Sequence, residues 1–180
     1  MRFVLAFVLA AAAATAGAQA VAERQPDVIF VPTPQEVVDA MLKLANVRQG
    51  DVLYDLGCGD GRIPVTAAKQ YGIRAVGIDI DPERIQEAND NAKKAGVTQL
   101  VRFRRADLFK ANFKEASVVT LYLLPELNVK LRPRLLAELK PGTRVVSHQF
   151  DMGTWKPDKK VELSAGRTIY LWTIPPRKKQ

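Results

Sequence analysis

Apolar residues follow two alternating patterns along most of the chain. Short apolar runs predict five strands, at 52–55, 74–79, 100–105, 117–124 and 143–148. Between these runs, apolar residues recur every three or four positions, which predicts helices over 62–71, after Asp81 and over 126–139. The nearly continuous apolar run 117–124 is typical of a central parallel strand that is buried on both faces.

The order of these elements predicts the fold class. Two final runs, 160–163 and 168–174, lie on either side of Ser164-Ala165-Gly166-Arg167 and predict a hairpin. We therefore expect an α/β fold with a doubly wound, mostly parallel seven-stranded sheet and an antiparallel C-terminal hairpin. In such a fold the ligand lies at the carboxyl ends of the strands, near the switch in strand order.

A further helix is predicted before the first strand. Thr33 is placed to cap it, Pro34 suits its first position and Glu36 completes a capping box. Gln49-Gly50-Asp51 is predicted to end it. Asp81 is predicted to cap a later helix in the same way.

The chain begins with a segment typical of export. Met1-Arg2 is a short positive start, residues 3–14 are all apolar, and Ala18-Gln19-Ala20 is a small-x-small cleavage pattern. An uncleaved anchor is the alternative to cleavage, because Phe3 to Ala22 carries no charge. Either outcome places the rest of the chain outside the cytoplasm, free in the periplasm or anchored near the membrane. The predicted segments are a signal peptide or anchor at 1–20, a lead-in at 21–32, one domain at 33–175 and a basic tail at 176–180.

Composition narrows the possible chemistry. The chain has 180 residues and a formal net charge of +8, which suits one basic domain, and we expect a monomer. With one cysteine and one histidine, the chain can form neither an intrachain disulfide nor a zinc site of several such ligands. We expect no nucleic-acid partner, because the sequence has no RNA-binding aromatic motif and no zinc-finger spacing.

The loop after the first predicted strand indicates a nucleotide-like ligand. Gly57, Gly59 and Gly61 are spaced G-x-G-x-G, which is neither the dinucleotide pattern nor the phosphate loop. Asp55 and Asp60 lie beside these glycines. Two carboxylates repel a pyrophosphate and attract a cation, so a ligand with a positive amino group and a sulfonium fits better.

Two more acids extend this site. Asp79 ends the second strand, at a distance from the loop that suits hydrogen bonds from ribose hydroxyls. Asp107 follows the third strand, where it can accept from an adenine amino group while Leu108 or Phe109 packs near the ring. With Asp55 at the amino acid end, these positions outline S-adenosylmethionine.

Four motifs carry a family resemblance. YDLGCGDGR, VGIDIDPE, ADLF and TLYLLPELN, in this order, resemble class I S-adenosylmethionine-dependent methyltransferases. In finer detail, FVPTPQEVVDAML and TLYLLPELNVKLRP look like the lysine methyltransferases that modify the ATP synthase c-subunit and the adenine nucleotide translocase. The resemblance implies a lysine acceptor. It also implies that Val31–Thr33 fold over the methionine end of the cofactor, so Thr33 is expected to bind it.

Three residues are candidates for the acceptor pocket. A lysine with a reference pKa near 10.4 must lose a proton before it can attack a methyl group. Tyr122, Glu126 and His148 are expected to shape the pocket where this happens. For Glu126 the alternative is a role at the helix start, and for His148 it is a hydrogen-bonded structural role.

Two other functions stay open at this point. A small-molecule O- or N-methyltransferase is one of them. Its metal-dependent form would hold magnesium at Asp107, although no metal site is predicted. A protein that holds S-adenosylmethionine without turning it over is the other, because an exported enzyme has no obvious supply of this cofactor. Leu124-Pro125-Glu126 stands where base amino-methyltransferases carry an N-P-P-Y signature, which disfavours nucleic-acid methylation.

Overall fold

The computed structural model describes residues 29–177, in which helices and strands alternate. The α-helices are α1 (Gln35–Leu44), α2 (Arg62–Tyr71), α3 (Pro82–Ala95) and α4 (Pro125–Glu138). The strands are β1 (Val52–Leu56), β2 (Arg74–Asp79), β3 (Val101–Arg105), β4 (Val118–Leu121), β5 (Arg144–His148), β6 (Lys159–Glu162) and β7 (Thr168–Thr173). The segment predicted to be a signal peptide or anchor, most of the predicted lead-in and the end of the predicted basic tail lie outside the described residues. Over 29–177, no helix is both long and apolar enough to cross a membrane.

The seven strands form one sheet in the order β3-β2-β1-β4-β5-β7-β6. Strands β1 to β5 are parallel, and β7 pairs antiparallel with both β5 and β6. This confirms the predicted doubly wound class and its C-terminal hairpin. The strand order reverses between β1 and β4, so a crevice opens there at the carboxyl ends of the strands.

Helices cover both faces of the sheet, because successive strand residues point to opposite sides. In β1, Leu53 packs into a cluster with residues of α1, α2 and α3. Its neighbour Tyr54 packs into a second cluster, which includes Leu131 and Leu135 of α4 and the buried Trp172. The two layers hold the strand ends in fixed positions, and the site is built on those ends.

The predicted capping box at the start of α1 is wrong. Pro34 is the N-cap residue, and no side chain caps the helix. The Thr33 hydroxyl instead meets His148, and Glu36 accepts a 2.8 Å hydrogen bond from Arg167. Both side chains contact residues that are distant in sequence, and these contacts take the place of the predicted capping contacts.

Several element ends also differ from the pattern. Helix α1 stops at Leu44, earlier than Gln49, because Asn46 adopts a left-handed φ of 48°. Strand β4 ends at Leu121, so Tyr122 lies in the following loop.

The predicted cap at Asp81 is confirmed, since this side chain accepts a hydrogen bond from Glu83 N at 2.8 Å.

Gly77 in β2 shows how closely the sheet packs against the loop after β1. A Cβ atom at this position would lie 2.5 Å from Phe103 Cδ1 and 2.7 Å from Cys58 Sγ. We expect Gly77→Ala to lower the free energy of unfolding by about 1–3 kcal/mol through overpacking, measured by urea denaturation.

The matched control is Gly77→Ala combined with Phe103→Leu. The smaller side chain makes room for the added methyl group, so part of the lost stability should return. A single Gly77→Ala protein as stable as the parent would contradict the close packing.

Candidate active site

The cleft opens where the strand order reverses. Its empty space, counted out to the open solvent at its mouth, is about 970 Å³. The predicted site residues that line it are Thr33, Asp55, Gly57, Asp79, Asp107, Leu108 and Tyr122. Those that do not line it are Gly59, Gly61, Glu126 and His148.

The backbone of the glycine loop is already hydrogen-bonded within the protein. Four of its N–H groups have protein acceptors. They are Gly57 to Ile78 O at 2.8 Å, Cys58 to Ile78 O at 3.0 Å, Gly59 to Asp79 Oδ2 at 2.8 Å and Gly61 to Cys58 O at 2.9 Å. A phosphate-binding loop instead points its N–H groups at the ligand. The geometry therefore agrees with a ligand that has no phosphate.

The loop also needs small residues because other groups lie very close to it. Gly59 has a φ of 51°, and a Cβ atom there would lie 2.2 Å from Phe30 Cε2. At Gly57 a Cβ atom would lie 2.8 Å from Leu123 Cδ2. Side chains at these two positions would displace the walls of the cleft.

Asp55 is a buried carboxyl at the inner end of the cleft, only 2% exposed. The Thr120 hydroxyl of β4 donates to Asp55 Oδ1 at 2.7 Å. Burial raises the pKa of Asp55 to about 8, against this hydrogen bond, and the charges of Asp79 and Asp60 raise it further. A cation that binds here would neutralise the carboxylate and remove most of this penalty.

The other two acids lie on the neighbouring loops. Asp79 ends β2, and its oxygens accept hydrogen bonds from Gly59 N at 2.8 Å and Asp81 N at 3.0 Å. Each carboxylate oxygen has a second lone pair, so ribose hydroxyls could still donate to it. Asp107 accepts from Phe109 N at 2.9 Å, and this bond folds the loop so that Leu108 and Phe109 line the cleft.

Residues of the segment 29–34 line the cleft, and two arginines hold the segment in place. Arg62 donates from Nη1 to the Thr33 carbonyl at 2.9 Å. The guanidinium of Arg84 lies 5.0 Å from the centre of the Phe30 ring, a cation–π contact. Ile29 is 89% exposed beside them. One backbone carbonyl and one aromatic ring thus hold the segment at the cleft.

A group of aromatic rings lies next to the cleft beyond β4, and we call Tyr122, His148 and Phe150 the aromatic wall. The rings of Tyr122 and His148 are 4.0 Å apart, and those of Tyr122 and Phe150 are stacked at 6.3 Å. Burial, helped by the charge of Arg167, lowers the pKa of His148 to about 4. The imidazole is therefore neutral near pH 7, and it lies behind Tyr122 rather than in the cleft.

Two residues at the start of α4 differ in burial. Glu126 is exposed at the first turn and does not reach the cleft. Asn128 is fully buried and donates at 3.2 Å to Phe150 O, to Asp151 O and to Ser147 Oγ. Its Oδ1 is the one buried side-chain oxygen or nitrogen in residues 29–177 without a protein partner. Asn128 thus holds the loop that carries Phe150.

Sequence reasoning overlooked several residues that shape the site. Thr120 could have been found, because the parallel pairing of β1 with β4 places it directly beside Asp55. Arg62 follows the glycine loop directly, but its bond to Thr33 joins positions 29 residues apart. The contact between Phe30 and Arg84 has no local sequence signal either.

The residues of the cleft fit S-adenosylmethionine. The buried Asp55 suits its amino group, Asp79 its ribose hydroxyls, and Asp107 with Leu108 its adenine. The close approaches at Gly57 and Gly59 leave no room for side chains at these two positions of the loop. When bound, the cofactor supplies an activated methyl group.

The fold and the site define a class I S-adenosylmethionine-dependent methyltransferase. The family described as the ANTKMT methyltransferase domain matches residues 55–159, and the chain belongs to this family. The resemblance found in the sequence motifs is thereby confirmed, and so is the cofactor.

Individual relatives agree with this class. A protein-lysine N-methyltransferase of Saccharolobus islandicus (strain REY15A) is 48% identical over 153 residues, which are 83% of this chain and 95% of that protein. The lysine N-methyltransferase of Mus musculus that is named for the ATP synthase c-subunit is 35% identical over 129 residues, 72% of this chain and 51% of that protein, so the match spans about half its length. A crystal structure described as an RNA methyltransferase from Salinibacter ruber, in complex with S-adenosyl-L-homocysteine, is 59% identical with a TM-score of 0.80 and covers 83% of this chain and 97% of that chain.

The raised pKa of Asp55 predicts that proton uptake and cofactor binding oppose each other. The carboxyl is neutral below about pH 8 in the folded protein but ionised above about pH 4 in the unfolded chain, so the folded state holds more protons between these values. The free energy of unfolding without ligand should therefore fall as pH rises through this window. The affinity for S-adenosylmethionine should instead increase as pH rises through this window, because the cationic amino group binds the ionised carboxylate.

Calorimetry in buffers of different ionisation enthalpy measures the linked proton. At about pH 7, binding to the parent protein should release up to one proton. Asp55→Asn should weaken binding and abolish this release. The control Asp90→Asn, which changes a half-exposed carboxylate on α3, should alter neither. Equal proton release by the Asp55→Asn protein would contradict the assignment.

Proposed function

We propose that the protein is an S-adenosylmethionine-dependent protein-lysine N-methyltransferase. The observation that carries the proposal is the 48% identity to a protein of that name, over 83% of this chain and 95% of the relative. The match covers nearly the whole described domain, including both the cofactor cleft and the aromatic wall. The Mus musculus relative, whose name also specifies lysine N-methylation, supports the same reaction.

The geometry suits an amine acceptor that loses its proton by desolvation. Tyr122 lines the cleft, and its ring is backed by the neutral His148 and by Phe150. Removal from water beside these rings lowers the pKa of a lysine, and this effect has to outweigh the attraction of the ring faces for an ammonium ion. With a pKa of about 4, His148 is too weak a base to hold the lysine proton near pH 7. We assign it a supporting role, and the proton leaves to solvent through the open mouth.

The cofactor residues take the roles that their positions allow. In this proposal Asp55 holds the amino group, Asp79 the ribose, and Asp107 and Leu108 the adenine. Thr33 closes the cleft from the segment 29–34. Gly57, Gly59 and Gly61 form the loop between these acids. Alignment of the amine with the methyl group and the sulfur then supplies most of the rate enhancement.

Two other acceptors are included in the test. The Salinibacter ruber structure is described as an RNA methyltransferase, so RNA is a second candidate despite the absence of an N-P-P-Y signature here. A small-molecule acceptor is the third. Over residues 29–177, no group of three or more His, Cys, Asp or Glu side chains is placed to hold a metal ion.

The test uses the full chain with tritiated S-adenosylmethionine and a cell-envelope extract. After incubation, the label is separated into protein, RNA and small-molecule fractions, and the labelled protein is hydrolysed to identify the methylated amino acid. We expect the label in protein as methylated lysine. Label confined to RNA or to small molecules, or tight cofactor binding without any transfer, would contradict the proposal.

Variants of two predicted residues should separate the aromatic wall from the helix start. Tyr122→Ala removes a ring that lines the cleft, and we expect the rate of transfer to fall by about 100-fold because alignment is lost. Glu126→Ala changes an exposed side chain outside the cleft, and we expect less than about a threefold effect. The measurement is kcat with saturating cofactor. A large loss in the Glu126→Ala protein would place this carboxylate at the acceptor after all.

We further propose that the enzyme acts outside the cytoplasm, released or anchored by its first residues, as the composition of 1–20 predicts. Cell fractionation followed by N-terminal sequencing tests this. A mature chain that begins near Val21 indicates cleavage, and an intact Met1 in the membrane fraction indicates an anchor. An intact chain recovered with cytoplasmic proteins would contradict export.

A further inference from the structure

A continuous set of polar and aromatic contacts runs from the glycine loop to the aromatic wall along the lining of the cleft, and His148 is its one member that does not line the cleft. It consists of Asp60, Arg62, Thr33, His148 and Tyr122. We propose that Arg62 is a positioning residue that joins the cofactor loop to the aromatic wall, so that the bound cofactor and the wall stabilise each other. The role of the aromatic wall at the acceptor rests on the proposed function. The link between the cofactor loop and the wall does not.

The first link is a forked ion pair. Arg62 Nε and Nη2 donate to the two oxygens of Asp60, at 3.0 and 2.6 Å. The side chains are 32% and 15% exposed, so solvent screens this pair only partly. The Asp60 carbonyl is held in turn by Asn91 at 2.9 Å. The loop side of the link is therefore fixed at both the side chain and the backbone.

The second link uses the remaining arm of the guanidinium. Arg62 Nη1 donates to the Thr33 carbonyl at 2.9 Å. An arginine can hold a carboxylate with two donors and a carbonyl with a third, because its planar fork presents five donors. A lysine at this position keeps the charge but offers a single ammonium group on a flexible chain. Lysine should therefore neutralise Asp60 without holding both partners in one geometry.

The third link passes through the Thr33 side chain. Thr33 is 4% exposed, and its hydroxyl lies 3.3 Å from His148 Nδ1. The imidazole ring packs at 4.0 Å against Tyr122. His148 itself does not line the cleft, so any effect of His148 on cofactor affinity must act through Thr33 or Tyr122. This separation makes the inference testable without knowledge of the acceptor.

The experiment measures S-adenosylhomocysteine binding by calorimetry for the full chain, three variants and one control variant. Arg62→Lys should weaken binding by about tenfold, the size expected for one lost charge-assisted hydrogen bond. His148→Phe keeps a ring against Tyr122 but loses the bond to Thr33, and we expect a loss of about threefold to tenfold. The double variant should bind no more weakly than Arg62→Lys alone, because the link is already broken.

A second readout locates the effect along the chain. In the parent protein, S-adenosylhomocysteine should slow amide hydrogen exchange both in the loop 57–61 and in the segment 29–34. In the Arg62→Lys protein, protection of the loop should remain and protection of the segment should be lost. Arg74→Gln, an exposed arginine at the amino end of β2, is the matched control and should change neither measurement.

Two results would overturn the inference. One is unchanged affinity in the His148→Phe protein, and the other is a double variant whose loss equals the product of the single losses. If His148→Phe fails to fold, as judged by circular dichroism, the exchange measurement decides, and protection of the segment 29–34 that survives in the Arg62→Lys protein would overturn the inference. None of these outcomes depends on which acceptor is methylated, so they leave the proposed lysine methylation untouched.

Discussion

The parallel pairing of β1 with β2 on one side and with β4 on the other is the constraint on which the site depends. This pairing sets Asp55 beside Thr120 and brings Asp79 to the same edge of the sheet. Burial then makes the Asp55 carboxyl costly to ionise until a cation arrives. Chemistry at the cleft therefore follows from strand register, and helices on both faces keep that register fixed.

The cofactor half of the site could be predicted from the sequence because its side chains sit at strand ends. A strand followed by an acid is a local pattern, and the order of strands in this fold class brings such acids together. Asp55, Asp79 and Asp107 are predicted to share one cleft on this basis, and all three line it. The fold class was predictable for the same reason, since alternating apolar periods determine it.

The acceptor half was harder to predict because its contacts join distant parts of the chain. Thr33 has every local feature of a helix cap, yet its hydroxyl meets His148, 115 positions away. Glu126 has the position expected of an acceptor ligand, yet the first turn of α4 directs it to solvent. Local sequence patterns indicate which residues could contribute to a site. Long-range packing then determines which of those residues lie in it.

The internally bonded glycine loop also bears on selectivity among adenosine compounds. ATP and NAD share the adenosine group of the cofactor and are abundant in cells. At this cleft their phosphates would find four loop N–H groups already engaged, and they would face the carboxylates of Asp55 and Asp79. The cleft thus disfavours these competitors in two ways, because its loop offers their phosphates no free donors and its carboxylates carry charge of the same sign.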